Sequence, residues 1–166
     1  VYLEALMTSL KDKKELVYLD LILKDLDQIK KWSSPIQFLQ TSSSLQHIYL
    51  NYSSCQITKP LCDDFLSLSK LASLKDLELS FSDCSHMTDE FLSPLIDYLY
   101  QTKTLRKLFL DFSGCSQVTD DKFSSLIDAI SQEIHLTDLG LYFNRCTLFG
   151  SNSLANMALT LAALKE

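Results

Sequence analysis

Five cysteines are the residues of this 166-residue chain best suited to chemistry. A thiolate is a nucleophile and a soft metal ligand, and two well-placed thiols make a disulfide. Four of the five, Cys55, Cys84, Cys115 and Cys146, follow one another at steps of 29, 31 and 31 residues, and none stands in a Cys-x-x-Cys pair. A metal site needs three or four ligands around one point, whereas this spacing spreads thiols along a line. In-register parallel neighbours rarely offer disulfide geometry. The spacing therefore predicts a column of buried thiols that fill small spaces and donate weakly to turn carbonyls, in a reducing, cytoplasmic setting.

Other chemistry is poorly provided for. His47, His86 and His135 stand at different positions relative to the cysteines and are not expected to converge on a nucleophile. Three glycines leave little material for a phosphate-binding loop, and no such motif is present. The acid pairs Asp63-Asp64 and Asp120-Asp121 suit the first turns of helices better than acid–base work. No catalytic, cofactor-binding or metal-ligating residue is assigned, so the chain is not expected to be an enzyme. A formal charge of −6 argues against a nucleic-acid surface, which needs clustered Lys and Arg. No run of 18 apolar residues offers a membrane span. The first residues lack the basic and apolar regions of a signal peptide.

The cysteines are positioned by a repeat. Aligned on Leu16, Leu45, Leu74, Leu105 and Leu136, the chain steps by 29, 29, 31 and 31 residues. Apolar residues recur three, five and seven positions on, as in Leu108, Leu110 and Phe112, and the cysteine falls at ten. Leu26 takes the cysteine slot in the first unit, while Cys62 lies outside the column on an expected helix. Another aliphatic follows at twelve or thirteen: Ile29, Ile57, Met87, Val118 and Leu148. Each unit thus reads as a short strand, a polar turn and a helix. The expected helical faces are Leu61, Phe65, Leu68 and Leu71; then Phe91, Leu95 and Leu99; then Phe123, Leu126 and Ile130; then Leu154, Met157, Leu161 and Leu164. Thr88-Asp89-Glu90 and Thr119-Asp120-Asp121 are helix-start signals, but Ser93-Pro94 offers the third unit a second start, and both stay open. In the first unit Pro35 leaves room only for a short helix through Ile36 and Leu39. Residues 1–15, with Leu3, Leu6 and Leu10 on one face, read as the helix of a preceding partial unit. The whole of 1–166 is expected to be a single domain, a segment of a longer array or assembly.

The pattern L-x-x-L-x-L-x-F-x-x-C-x-x-[VM]-T-D, at Leu74–Asp89 and Leu105–Asp120, resembles the leucine-rich repeat family, in its ribonuclease-inhibitor-like and cysteine-containing subclasses. The resemblance runs from Leu16 to Leu164. It implies an α/β fold: a right-handed, curved solenoid of about five repeats plus the partial N-terminal helix, with a parallel sheet inside and helices outside. It also implies a protein-binding role without catalytic residues. Phe81, Phe112 and Phe143 depart from the common pattern and suggest a strand two residues longer than usual. Elementary geometry agrees on the layers, because strands joined through helices pair in parallel by right-handed crossovers. Strands about 4.8 Å apart under helices about 10 Å wide must curve with the helices outward.

Residues between the leucines then point to the open sheet face. Tyr18, Tyr49, Phe109 and Tyr142 are aromatics of the kind that anchor interfaces, with acids around them and a basic island at Lys75, Arg106 and Lys107. The candidate protein-binding set is Tyr18, Tyr49, Glu78, Arg106, Lys107, Phe109, Asp111 and Tyr142. Rival surfaces are the two ends and the outer helices, with Tyr98, Tyr100 and Trp32. The expected function is a non-enzymatic interaction scaffold or structural component of a larger complex, with a protein partner, no nucleic acid, no membrane span and no cofactor. The cysteine-containing resemblance also suggests the substrate-recognition segment of a ubiquitin-ligase adaptor. A third reading is a regulatory array attached to an enzyme such as a kinase or nucleotide-binding switch.

Overall fold

Alternating apolar residues build five short strands: β1 (Tyr18–Ile22), β2 (His47–Asn51), β3 (Asp76–Ser80), β4 (Lys107–Asp111) and β5 (Asp138–Tyr142). They form one parallel sheet in the order β1-β2-β3-β4-β5. Equivalent positions of successive units pair: Leu19, Ile48, Leu77, Leu108 and Leu139 make one row across all five strands. The leucine alignment is thus the register of the sheet. The computed structural model describes residues 2–10, 13–25, 36, 39, 42–57, 64–133 and 135–163. Leu26, Ile29, Trp32, Pro35, Leu61, Cys62, Asp63 and Leu164 lie outside the described residues.

Helices cover one side. They are α1 (Tyr2–Leu10), α2 (Asp89–Gln101), α3 (Asp120–Ser131) and α4 (Ser151–Ala163), with a 3₁₀ segment at Asp64–Lys70. Ile36 and Leu39 are helical and fully buried, as the short first-unit helix requires. A 3₁₀ segment stands where an α-helix was expected, and its buried Phe65 and Leu68, with Leu71 just after it, repeat every third position, the 3₁₀ period. Helix α2 begins at Asp89 after Thr88, and Pro94 lies buried inside it, which settles the choice between the two starts.

Helix α4 departs from expectation. Leu154 and Leu161 are more than half exposed, and Ser153 and Thr160 are buried instead. Their hydroxyls donate to the carbonyls of Asp120 and Ile127, at 2.9 and 3.4 Å, and Asn156 Nδ2 donates to Ser124 Oγ at 2.6 Å. A small polar stripe at helical spacing packs on α3, so the leucine stripe turns outward.

Where each strand ends, the core continues as a stack of rings. Tyr52, Phe81, Phe112 and Phe143 lie nearly parallel, with centroids 5.7, 5.6 and 6.0 Å apart. These residues follow the strands, which end one position earlier in β2 to β5, so the expected lengthening is not found. A turn starts there instead: the N–H groups of Cys55, Cys84, Cys115 and Cys146 donate back to the four ring residues' carbonyls. Each turn holds one residue in the left-handed region: Asp25, Ser54, Asp83, Gly114 and Arg145, at φ 58°, 59°, 60°, 77° and 59°. Four of these are not glycine. The strain at Asp25, Ser54 and Asp83 is opposed by a bond from the residue's N–H to the next unit's turn: Ser53, Ser82 and Ser113 carbonyls accept at 3.0, 2.8 and 2.7 Å.

Candidate functional site

The side of the sheet opposite the leucines carries three rows of side chains. One is Tyr18, His47, Asp76, Lys107 and Asp138; the next is Asp20, Tyr49, Glu78, Phe109 and Gly140; the third is Ile22, Asn51, Ser80, Asp111 and Tyr142. A cavity of about 430 Å³ opens among the second and third rows. Ser80 and Ser82 keep its middle low, and larger neighbours on β2, β4 and β5 rise around them. Five of the eight candidate residues line it together: Tyr49, Glu78, Phe109, Asp111 and Tyr142.

The other three are elsewhere. Tyr18 is 58 % exposed on the edge strand, with its ring 5.9 Å from that of His47. Lys107 reaches Asp138 at 3.9 Å in the first row. Arg106 precedes β4 by one residue, in a bend, and is exposed. Its Nη1 donates to the His135 carbonyl at 3.3 Å, at the start of the neighbouring unit. Arg106 is thus beside the strand rows and not in the cavity lining. Of the rival helix residues, Tyr98 is core, while Tyr100 is exposed and donates to Asp128 at 2.9 Å.

Local bonds fix the cavity wall. Asn51 Nδ2 donates to Tyr49 Oη at 3.1 Å, and Asn51 Oδ1 accepts from the Ser53 N–H at 2.9 Å. Asp111 Oδ1 makes the same turn contact with Ser113 N–H, also at 2.9 Å. The Phe109 ring lies over Gly140, where a Cβ would stand 2.3 Å from a ring carbon. Glycine in β5 is what lets that ring lean across the strand. Asn51, Ser53, Ser80 and Ser82 line the cavity but were not singled out as candidates. Their signal was present as the small or amide residues one and three positions after the last strand leucine.

The cysteine column is structural in its contacts. Cys55, Cys84, Cys115 and Cys146 Sγ donate to the carbonyls of Leu23, Tyr52, Phe81 and Phe112, one unit back, at 2.9, 3.2, 3.2 and 3.0 Å. None of the four forms a disulfide among the described residues. Burial pushes the Cys84 thiol up to about 12 and also raises Cys115 and Cys146, so these stay protonated and unreactive at neutral pH.

The helix-start acids act across units. Asp89 accepts from Thr119 N–H and Oγ1, both at 2.8 Å, at the start of the following helix. Asp120 Oδ1 accepts from the N–H groups of Gly150 and Ser153 at 2.8 and 3.1 Å, and Oδ2 from Asn152 at 3.1 Å. The Ser153 interaction, with those backbone donors, holds the Asp120 carboxyl below its ordinary value.

No family model matches the sequence, and no curated protein matches it. Solved structures do match. Leiomodin-1 actin-binding site 2 aligns with a TM-score of 0.65 at 11% identity, covering 98% of this chain and 89% of that one. The tropomodulin C-terminal domain of Caenorhabditis elegans aligns with a TM-score of 0.60 at 15% identity, covering 98% and 93%. At such identities the likeness is one of fold. It corrects the leucine-rich-repeat resemblance, including its solenoid: the matching domains are tropomodulin and leiomodin domains, and the fold is an α/β fold with one parallel five-stranded sheet and helices. The two-residue apolar period reports a strand with one buried face, whatever family the chain belongs to.

Proposed function

We propose that this chain is a non-enzymatic protein-binding module, a scaffold within a larger assembly in a reducing, cytoplasmic compartment. Its binding surface is the sheet face around the cavity. The observation that carries this reading is the gathering of Tyr49, Glu78, Phe109, Asp111 and Tyr142 around one depression on a hydrogen-bonded sheet. Rigid half-buried aromatics lose little entropy on binding and are the residue types that dominate interface energetics. Leiomodin-1 actin-binding site 2 shares the fold, so actin is the first partner to test. Co-sedimentation with filamentous actin, comparing wild type with Tyr49→Ala/Tyr142→Ala, tests the surface. Loss of about tenfold or more in affinity, with unchanged thermal unfolding, supports it. Equal pelleting of the two proteins moves the interface off the sheet. If wild type does not pellet, actin is not the partner.

A further inference from the structure

The sheet face is unevenly charged. Five carboxylates stand on it: Asp20, Asp76, Glu78, Asp111 and Asp138. Asp76 is taken by His47 at 2.7 Å, and Asp138 has Lys107 at 3.9 Å. Among the described residues no cation pairs with Asp20, Glu78 or Asp111. Two of these three, Glu78 and Asp111, line the cavity, and among the described residues no Lys, Arg or His lines it with them. Asp111 is partly engaged, through Ser113 N–H at 2.9 Å and a long contact from Ser80 Oγ at 3.5 Å. No hydrogen bond engages the Glu78 carboxylate among the described residues.

Geometry places these charges well for one kind of guest. Glu78 pairs in register with Phe109, and Ser80 with Asp111. Glu78 and Asp111 are therefore diagonal neighbours on adjacent strands, their backbones about 8 Å apart by strand spacing and rise. Ser80, opposite Asp111 and two residues on from Glu78, is short, and Tyr49, Phe109 and Tyr142 line the same cavity. A cation entering here meets aromatic walls and two carboxylates from different strands. Planar guanidinium, with five donors and an affinity for aromatic faces, fits such a site better than a neutral or acidic group.

We infer that the cavity receives a basic side chain, foremost arginine, presented by the protein partner. This rests on the sheet face being the binding surface. The rest of the partner lies over the rows beside it, and the basic side chain fixes its register. An apolar anchor would leave the two carboxylates partly desolvated without compensation.

The probe is the peptide acetyl-Gly-Gly-Arg-Gly-Gly-amide, with citrulline replacing arginine as an uncharged control of the same shape. Binding is read from backbone amide shifts of the isotope-labelled full chain. The arginine peptide is expected to give saturable shifts centred on Glu78, Ser80 and Asp111, the citrulline peptide none, and added salt to weaken the response. Glu78→Gln/Asp111→Asn is expected to weaken arginine binding about five- to tenfold. This variant should fold: Asn51 makes with Ser53 the turn contact that Asp111 makes with Ser113, so asparagine serves at this row. Equal shifts from both peptides, no binding by wild type, or unchanged affinity in the double variant each overturn the inference. Loss of the protein partner in Tyr49→Ala/Tyr142→Ala with no arginine preference removes the basic anchor and leaves the sheet-face reading standing. Retention of the partner in that variant removes both.

Discussion

Glu133 follows the end of α3 with its side chain 0 % exposed, and neither carboxyl oxygen accepts a hydrogen bond among the described residues. Lys103 Nζ lies 3.8 Å from Oε1 and is half exposed. Burial pushes the carboxyl from its usual 4.5 up to about 7, against the opposing pull of Lys103. Below pH 4.5 the group is protonated whether the chain is folded or not, and folding loses nothing. As pH rises the unfolded chain ionises first, so stability falls until the folded group also ionises near pH 7, and stays lower above it. At about 1.4 kcal/mol per pH unit between the two values, the loss reaches about 3–3.5 kcal/mol. Urea unfolding of wild type and Glu133→Gln at pH 5 and pH 8 measures it. The glutamine variant should be more stable than wild type at pH 8 by about 3 kcal/mol, and much of that advantage should vanish at pH 5. Lys103→Met should widen the wild-type loss, because it removes the charge that favours ionisation. Parallel behaviour of wild type and Glu133→Gln across this range would refute the burial argument.

Further outcomes follow from the same structure. Phe112→Ala removes a fully buried ring stacked on Phe81 and Phe143, and should cost about 3–5 kcal/mol in chemical unfolding. Cys84, Cys115 and Cys146 should resist alkylation at pH 7.5 and react together as urea unfolds the chain, a pattern that mass spectrometry of the labelled peptides can follow. Asp120→Ala should speed hydrogen exchange at the Gly150, Asn152 and Ser153 amides and lower the melting temperature, while Asp120→Asn should do less of both.

The strands and their register were legible because an inward leucine is required at every second strand position, whatever the rest of the unit does. Local chemistry was less decisive. Thr88-Asp89 and Ser93-Pro94 both satisfy the rules for starting a helix, and the choice fell to a distant contact, since Asp89 must reach Thr119. Asp120 was read as serving its own helix, but its carboxyl faces the next one. In α4 leucine spacing was outweighed by hydroxyl bonds from Ser153 and Thr160 to α3, which only the packed pair reveals. The cavity follows from contrasts between strands, such as Gly140 beneath Phe109 and Ser80 between Asn51 and Asp111. Such contrasts acquire meaning only after the register is known.

The cross-unit bonds also bear on how the chain folds. Parallel sheets are slow to form when their strands lie far apart in sequence, because long loops must close before any contact rewards them. Here every strand pairs with its sequence neighbour, and the partners are 29 or 31 residues apart throughout, as in Leu19–Ile48 and Leu108–Leu139. No loop longer than one unit has to close to extend the sheet. Any adjoining pair can serve as nucleus, and growth can proceed toward either edge. The left-handed turns bias that choice: the N–H of Asp25, Ser54, Asp83 or Gly114 finds its acceptor only when the following unit is in place. Among the described strands, β1 and β5 have one neighbour each and should lose protection from exchange before β2, β3 and β4.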